Sequence, residues 1–180
     1  SDIGWDRGEI EETGETVEIN SFIKADAIFN FTNEKHINYP IITDDAGLFC
    51  EALRGEPGVY TARYADDELA LDPSLPKHQC VIKLLRNMEK QKNRKAYYKC
   101  AVTCILPDGR YFQEVGKSNG MIAESIQGEL KKPYFYSVFI LDGYNKVFSE
   151  MDTTELSDTY RYQALEKTLN KVRKINKKWW

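Results

Sequence analysis

Apolar residues fall along this chain at two spacings, helical and alternating. Ile19, Phe22, Ile23, Ala27, Ile28 and Phe31 recur every three or four residues, which predicts a helix burying one face. Thr16 or Thr13 can cap it, and the acidic stretch before it, residues 1–15, reads as a loop. Asn38-Tyr39-Pro40 ends the connection, because a residue before proline avoids the α region, and Ile41 to Thr43 reads as a short strand. Gly55-Glu56-Pro57-Gly58 predicts a turn. Asp72-Pro73-Ser74-Leu75-Pro76 predicts a loop opening a helix that carries Val81, Ile82, Leu84, Leu85 and Met88. The clearest β signal is Tyr97 to Leu106, turned by Pro107-Asp108-Gly109 and returned by Tyr111 to Val115 as a hairpin. Tyr134 to Leu141 reads as an apolar strand, Asp142-Gly143 as a turn and Lys146 to Phe148 as a short strand. From Arg161 a basic helix follows, with Leu165, Leu169, Val172 and Ile175 along one side. Helices interleaved with strands predict an α/β fold with a mixed sheet.

Composition narrows the class. A chain of 180 residues, 42% hydrophobic, is long enough to bury a core and is expected to form one domain. The formal net charge of −3 argues against broad nucleic-acid binding. The basic end, with Lys167, Lys171, Arg173, Lys174, Lys177 and Lys178, reads as a solvated helix face. Cys50, Cys80, Cys100 and Cys104 form no CxxC pair, and with only His36 and His78 beside them they predict reduced thiols in a cytoplasmic protein rather than zinc ligands. Cys100 and Cys104 lie on one strand face, where packing explains them better than chemistry. No apolar run is long enough to span a bilayer. The chain begins with Ser1 rather than Met, which predicts a removed leader or a fragment of a longer product.

The chemistry is carried by Ile41 to Cys50, an apolar run interrupted by Asp44-Asp45-Ala46-Gly47. Paired carboxylates at a strand end can hold a hard cation, and Mg²⁺ takes one or two carboxylates, completing its shell with water and phosphate oxygens. A few residues on stands Pro57-Gly58-Val59-Tyr60-Thr61-Ala62-Arg63-Tyr64; upstream, Glu11-Glu12-Thr13-Gly14-Glu15-Thr16 leads to Glu18-Ile19-Asn20-Ser21-Phe22-Ile23-Lys24-Ala25. Together these segments resemble the signature of the inosine triphosphate pyrophosphatase family, which cuts ITP, XTP and their deoxy forms to the monophosphate and pyrophosphate. The resemblance implies a long twisted mixed sheet flanked by helices, two lobes with a nucleotide cleft between them, a Mg²⁺ cofactor and a homodimer. It implies Glu12, Asp44 and Asp45 as metal ligands, Asp45 also as general base for the attacking water, and Lys24 with Arg63 as phosphate contacts. In the C-terminal third, Thr159-Tyr160-Arg161-Tyr162-Gln163-Ala164 is similar to the family's S-H-R-G-x-A, and the resemblance implies Arg161 as a candidate base contact, with Tyr160 in the histidine's place.

Three departures from the family pattern stand out. The S/T-x-N-x-x-K segment that opens the family is not found before Glu9, so the usual N-terminal strand is expected to be missing. The family's F-G-Y/W-D-P-x-F aligns with residues 133–139, where Tyr136 replaces a base-contacting aspartate and Tyr134 or Phe135 can stack on a base. A family lysine becomes Glu155, which is expected to repel phosphate. These residues fit an active pyrophosphatase with altered base preference. The alternative is a degenerate member that binds nucleotide or a protein partner without turnover. The intact Asp44-Asp45 pair favours the active reading, since adjacent acids repel each other unless a cation uses them.

Overall fold

The computed structural model describes residues 3–175. Lys177, Lys178 and Trp179-Trp180 of the basic end lie outside the described residues. In chain order the elements are α1 (Val17–Glu34), β1 (Ile41–Cys50), β2 (Pro57–Gly58), α2 (Asp66–Leu71), α3 (Gln79–Met88), β3 (Lys95–Ile105), β4 (Tyr111–Ile122), β5 (Phe139–Leu141), α4 (Thr153–Leu156) and α5 (Tyr160–Ile175). The strands form one five-stranded sheet in the order β2-β1-β3-β4-β5, the expected α/β architecture with helices on its flanks. β2 pairs antiparallel with β1, setting Gly58 opposite Leu48, and β5 pairs antiparallel with β4, setting Leu141 opposite Gly120.

By its internal contacts the chain divides into two compact units. The first is assembled from the segment ending at Ala46, from Cys100–Gly116, and from the segment starting at Tyr160; the second holds Gly47–Lys99 and Lys117–Thr159. In the first unit, Cys104, Leu106 and Val172 pack into an apolar cluster with Phe112 against it. In the second, Tyr98 lies against Phe139 with ring centroids 4.9 Å apart and stacks on Phe148 at 5.8 Å.

Thr16 is the cap of α1, its hydroxyl accepting from the Ile19 amide at 3.2 Å. The buried face of α1 differs from the one its aliphatic residues predict. Val17, Asn20, Ser21, Ala25, Phe31 and Thr32 are buried, while Ile19 is 47% exposed. Polar groups turn the helix because they find partners inside. The Ser21 hydroxyl meets Thr103 Oγ1 at 2.7 Å, and Thr43 donates to the Ser21 carbonyl at 2.7 Å. Gln113 Nε2 donates both to Thr103 Oγ1 and to the Glu18 carbonyl, each at 2.7 Å. A satisfied polar network of this kind fixes the helix on the strands, since sliding it by one residue would orphan several buried groups.

α5 is rotated in the same sense. Tyr160, Ala164, Thr168 and Val172 face inward, while Leu165 and Ile175 are exposed. The cause is Gly116 on β4. A Cβ built there would stand 1.9 Å from the Tyr160 carbonyl oxygen and 2.9 Å from the Ala164 amide nitrogen, so the helix backbone rests directly on a strand without a side chain.

Four predicted elements are corrected, the first being the short strand at Lys146 to Phe148, where Val147 makes only a single bridge to Ile140 before a 3-10 turn over Phe148–Glu150. The strand expected at Ile41 to Thr43 runs on to Cys50, carrying the two aspartates in mid-strand. Gly47 permits this, because any side chain there would strike the Gly58 carbonyl oxygen at 2.4 Å and break the pairing with β2. The strand expected from Tyr134 begins instead as a 3-10 turn, Tyr134–Ser137, closed by the Ser137 hydroxyl on the Tyr134 carbonyl, and only Phe139–Leu141 is extended. The return strand of the hairpin extends past Val115 to Ile122.

Candidate active site

The first unit brings together five of the predicted site residues. Glu12 stands in the loop before α1, Lys24 is two turns into that helix, Asp44 and Asp45 are neighbours on β1, and Arg161 is in the first turn of α5. Adjacent strand residues point to opposite faces, and the two aspartates accordingly have different partners. Asp45 is buried, and its Oδ1 accepts from the Lys24 ammonium at 2.9 Å. The same ammonium donates to Glu12 Oε1 at 3.0 Å. Asp44 is half-buried and takes the Arg161 guanidinium and, at 3.7 Å, the thiol of Cys100 on Oδ2. Cys100 is an inert partner here. Burial, reinforced by the Asp44 charge, pushes its thiol up to about 12, and burial lifts Cys104 to about 11, in keeping with packing rather than chemistry.

Burial pushes the Asp45 carboxyl above its ordinary range. The Lys24 hydrogen bond and charge pull it back, and the Glu12 charge pushes it up again. For Lys24, burial lowers the ammonium, but the bonds and charges of Asp45 and Glu12 outweigh it, and the net direction is up. A raised carboxyl binds its proton more tightly in the folded chain. Stability from this group is therefore greatest below the free aspartate pKa and falls as pH rises through the raised value. In chelator, the urea midpoint of the wild-type chain is expected to fall with pH above about 4 more steeply than that of Asp45→Asn. Parallel slopes for the two would refute the burial argument. Lys24 acts at the other end of the scale, its contribution being lost only as pH climbs through its own raised pKa.

The remaining predicted residues are placed as follows. Tyr160 is buried, with its carbonyl against Gly116, so its ring is part of the first unit's interior. In the second unit, Arg63 is exposed at the end of a 3-10 turn. Phe135 is buried and packs on Tyr64 at 6.4 Å, whereas Tyr134 and Tyr136 are half-buried. Tyr136 stands edge-on to Tyr98 and Phe148. Tyr134 has the His78 ring edge-on at 6.4 Å, a neighbour no sequence signal indicated. Glu155 is not a bare negative charge. It closes a capping box with Asp152 at the start of α4 and accepts from Lys146 at 2.6 Å, and these bonds hold its carboxyl below the usual range.

Sequence reasoning also missed Asn20 and Gly116. Asn20 is fully buried and accepts the Gly14 amide on Oδ1 at 2.7 Å, which ties the Glu11-Glu12-Thr13-Gly14 loop to α1. An asparagine on the inner side of an amphipathic helix is the signal that could have found it. Gly116 gave none, because a glycine within a strand reads equally as a bulge or a close approach.

Residues 2–171 match the Ham1 family, and the chain belongs to that family. It is 34% identical over 171 residues to the dITP/XTP pyrophosphatase of Bacillus anthracis, spanning 91% of this chain and 78% of the relative. It is 35% identical over 147 residues to the protein of the same name from Borrelia recurrentis, spanning 82% of this chain and 71% of that one. Among solved structures it superposes on the Staphylococcus aureus Ham1 protein with a TM-score of 0.76 and 28% identity, over 93% of this chain and 81% of the other. A HAM1 protein from Coxiella burnetii gives a TM-score of 0.78 with 26% identity, over 92% and 81% of the two chains.

Proposed function

We propose that this chain is a Mg²⁺-dependent nucleoside triphosphate pyrophosphatase that hydrolyses non-standard purine nucleotides such as dITP, ITP and XTP to the monophosphate and pyrophosphate. The observation that carries the reading is the Lys24 ammonium set between the Glu12 and Asp45 carboxylates in a Ham1-family chain. Both carboxylates present hard oxygen atoms beside that ammonium, and carboxylate oxygens are the donors Mg²⁺ takes. Among the described residues no three His, Cys, Asp or Glu side chains gather as a metal cage, so Mg²⁺ here would have to draw most of its shell from water and substrate phosphate. Glu12 and Asp45 would hold that ion, while Asp44, expected as a third ligand, meets Arg161 on the other face of the strand and is assigned to that guanidinium instead. When bound, the ion supplies neutralisation of charge on the phosphates.

Asp45 then accepts the proton of the attacking water. The water oxygen forms a bond to the α-phosphorus as the bond to the bridging oxygen breaks, and pyrophosphate leaves with that oxygen. The raised pKa of Asp45 makes it a better proton acceptor than a free aspartate, provided the pH keeps it ionised. Lys24 lies beside both carboxylates, where its charge can meet the phosphates as well. Asp44 orients Arg161, the guanidinium assigned to the base. Within the second unit, Tyr134 and Tyr136 keep part of their rings exposed and Phe135 is buried, so the two tyrosines are the stacking candidates of the 133–139 segment.

The test is pyrophosphate release from dITP, ITP, XTP, GTP and ATP with Mg²⁺ and with a chelator in its place. Release favouring the first three, and stopped by the chelator, is expected. No release from any nucleotide would refute the activity, and equal release in chelator would refute the metal assignment. The four cysteines are free thiols, which supports a reducing compartment such as the cytoplasm as the place of work.

A further inference from the structure

We infer that Asn20 is a positioning residue of the pyrophosphatase site, holding the Glu12 loop with one end of its side chain and the inner oxygen of Asp45 with the other. The inference rests on the function proposed above and adds to it a residue that never meets the nucleotide.

Asn20 lies on the inward side of α1, one turn before Lys24, and none of its surface is exposed. A carboxamide has two ends, an acceptor oxygen and a donor nitrogen, and burial makes each of them costly to leave alone. Its oxygen is used, accepting the Gly14 amide at 2.7 Å. The fit is tight, since a Cβ on Gly14 would come within 2.6 Å of that same oxygen. Its nitrogen is buried and makes no hydrogen bond of good geometry, and the same holds for Asp45 Oδ2. A buried donor and a buried acceptor in the same small site thus both lack partners, while Asp45 Oδ1 is taken by Lys24. The Asn20 amide is close enough to Asp45 to act on its charge.

The consequence is geometric. With Oδ1 on Lys24 and Oδ2 on Asn20, both oxygens of Asp45 are referred to α1, and α1 is itself fixed by the Ser21–Thr43–Thr103–Gln113 network. Through Gly14 the same amide fixes the segment carrying Glu12, so one side chain sets the spacing of the two carboxylates. Outer partners that orient metal-binding carboxylates are worth roughly 10- to 100-fold in activity or metal affinity.

Two substitutions separate the two ends. Asn20→Asp keeps an acceptor for the Gly14 amide and, once ionised, puts a repelling carboxylate in place of the donor toward Asp45. Asn20→Ala loses both. Pyrophosphate release from dITP with Mg²⁺ is read for each, together with hydrogen exchange of the Gly14 segment, which reports the loop whether or not the enzyme turns over. The expected result is kcat lowered roughly 10- to 100-fold in both variants, with KM for dITP changed less than about threefold and the Mg²⁺ concentration for half-maximal rate raised. Exchange at Gly14 is expected to stay slow in Asn20→Asp and to become fast in Asn20→Ala. Wild-type kcat in Asn20→Asp would overturn the role toward Asp45. Slow exchange at Gly14 in Asn20→Ala would overturn the role toward the loop. A wild-type chain that releases no pyrophosphate would refute the function itself, a result distinct from either, because the exchange measurement still stands.

Discussion

Asp45→Asn is expected to remove pyrophosphate release, by roughly 10²- to 10⁴-fold in kcat, while leaving the chain folded. The carboxylate is the only group in the described site that is buried, next to a cation and raised in proton affinity at once. An amide of the same shape keeps the Lys24 contact through its oxygen, so packing changes little. It cannot accept the water's proton, and it is a poorer donor to a divalent cation. The folded state is expected to survive, because the substitution removes a buried carboxylate whose ionisation the interior disfavours. Circular dichroism and a urea midpoint check the fold, and a pyrophosphate-release assay checks the chemistry. Turnover within a few-fold of wild type would sink the assignment of Asp45 as base.

Gly116→Ala is the second large effect, and it acts on stability. The added methyl carbon would need the space of the Tyr160 carbonyl oxygen, 1.9 Å away, and neither a strand backbone nor a helix backbone can give way by more than a fraction of that locally. α5 must lift off β4, and the apolar contacts of Ala164, Thr168 and Val172 go with it. Overpacking of this severity lies at the upper end of its range, about 3 kcal/mol or more. The first turn of α5 also carries Arg161, so any folded fraction is expected to lose the Asp44–Arg161 pair and to show a higher KM for dITP. Urea denaturation measures the first effect. A loss below about 0.5 kcal/mol, the range of ordinary surface substitutions, would mean the helix does not rest on this glycine.

The rewritten C-terminal motifs look less damaging in the fold than in the string of letters. Glu155 stands where a family lysine is expected, yet its charge is met by Lys146 and by the α4 cap. Tyr136, in place of the family's aspartate, is one ring of an aromatic cluster with Tyr98 and Phe148 and keeps part of its surface open. Neither change falls on Glu12, Lys24 or Asp45, the residues assigned above to the metal, the phosphates and the water.

By itself the sequence determined what local rules and motif chemistry can determine. Helical spacing with a threonine before it yielded α1 and its cap, the Pro107-Asp108-Gly109 turn yielded the hairpin, and the Glu-Glu-Thr-Gly and Asp-Asp-Ala-Gly runs yielded the carboxylates and their lysine. Tertiary structure decided the rest, because those outcomes depend on what meets what across long stretches of chain. The face α1 buries was decided by hydroxyl and amide partners on β1, β3 and β4, not by its own aliphatic residues. The face α5 buries was decided by a single missing side chain on β4. The division of labour between two adjacent aspartates, one to Lys24 and Glu12 and the other to Arg161, followed from a strand that continues through them and so points them to opposite sides.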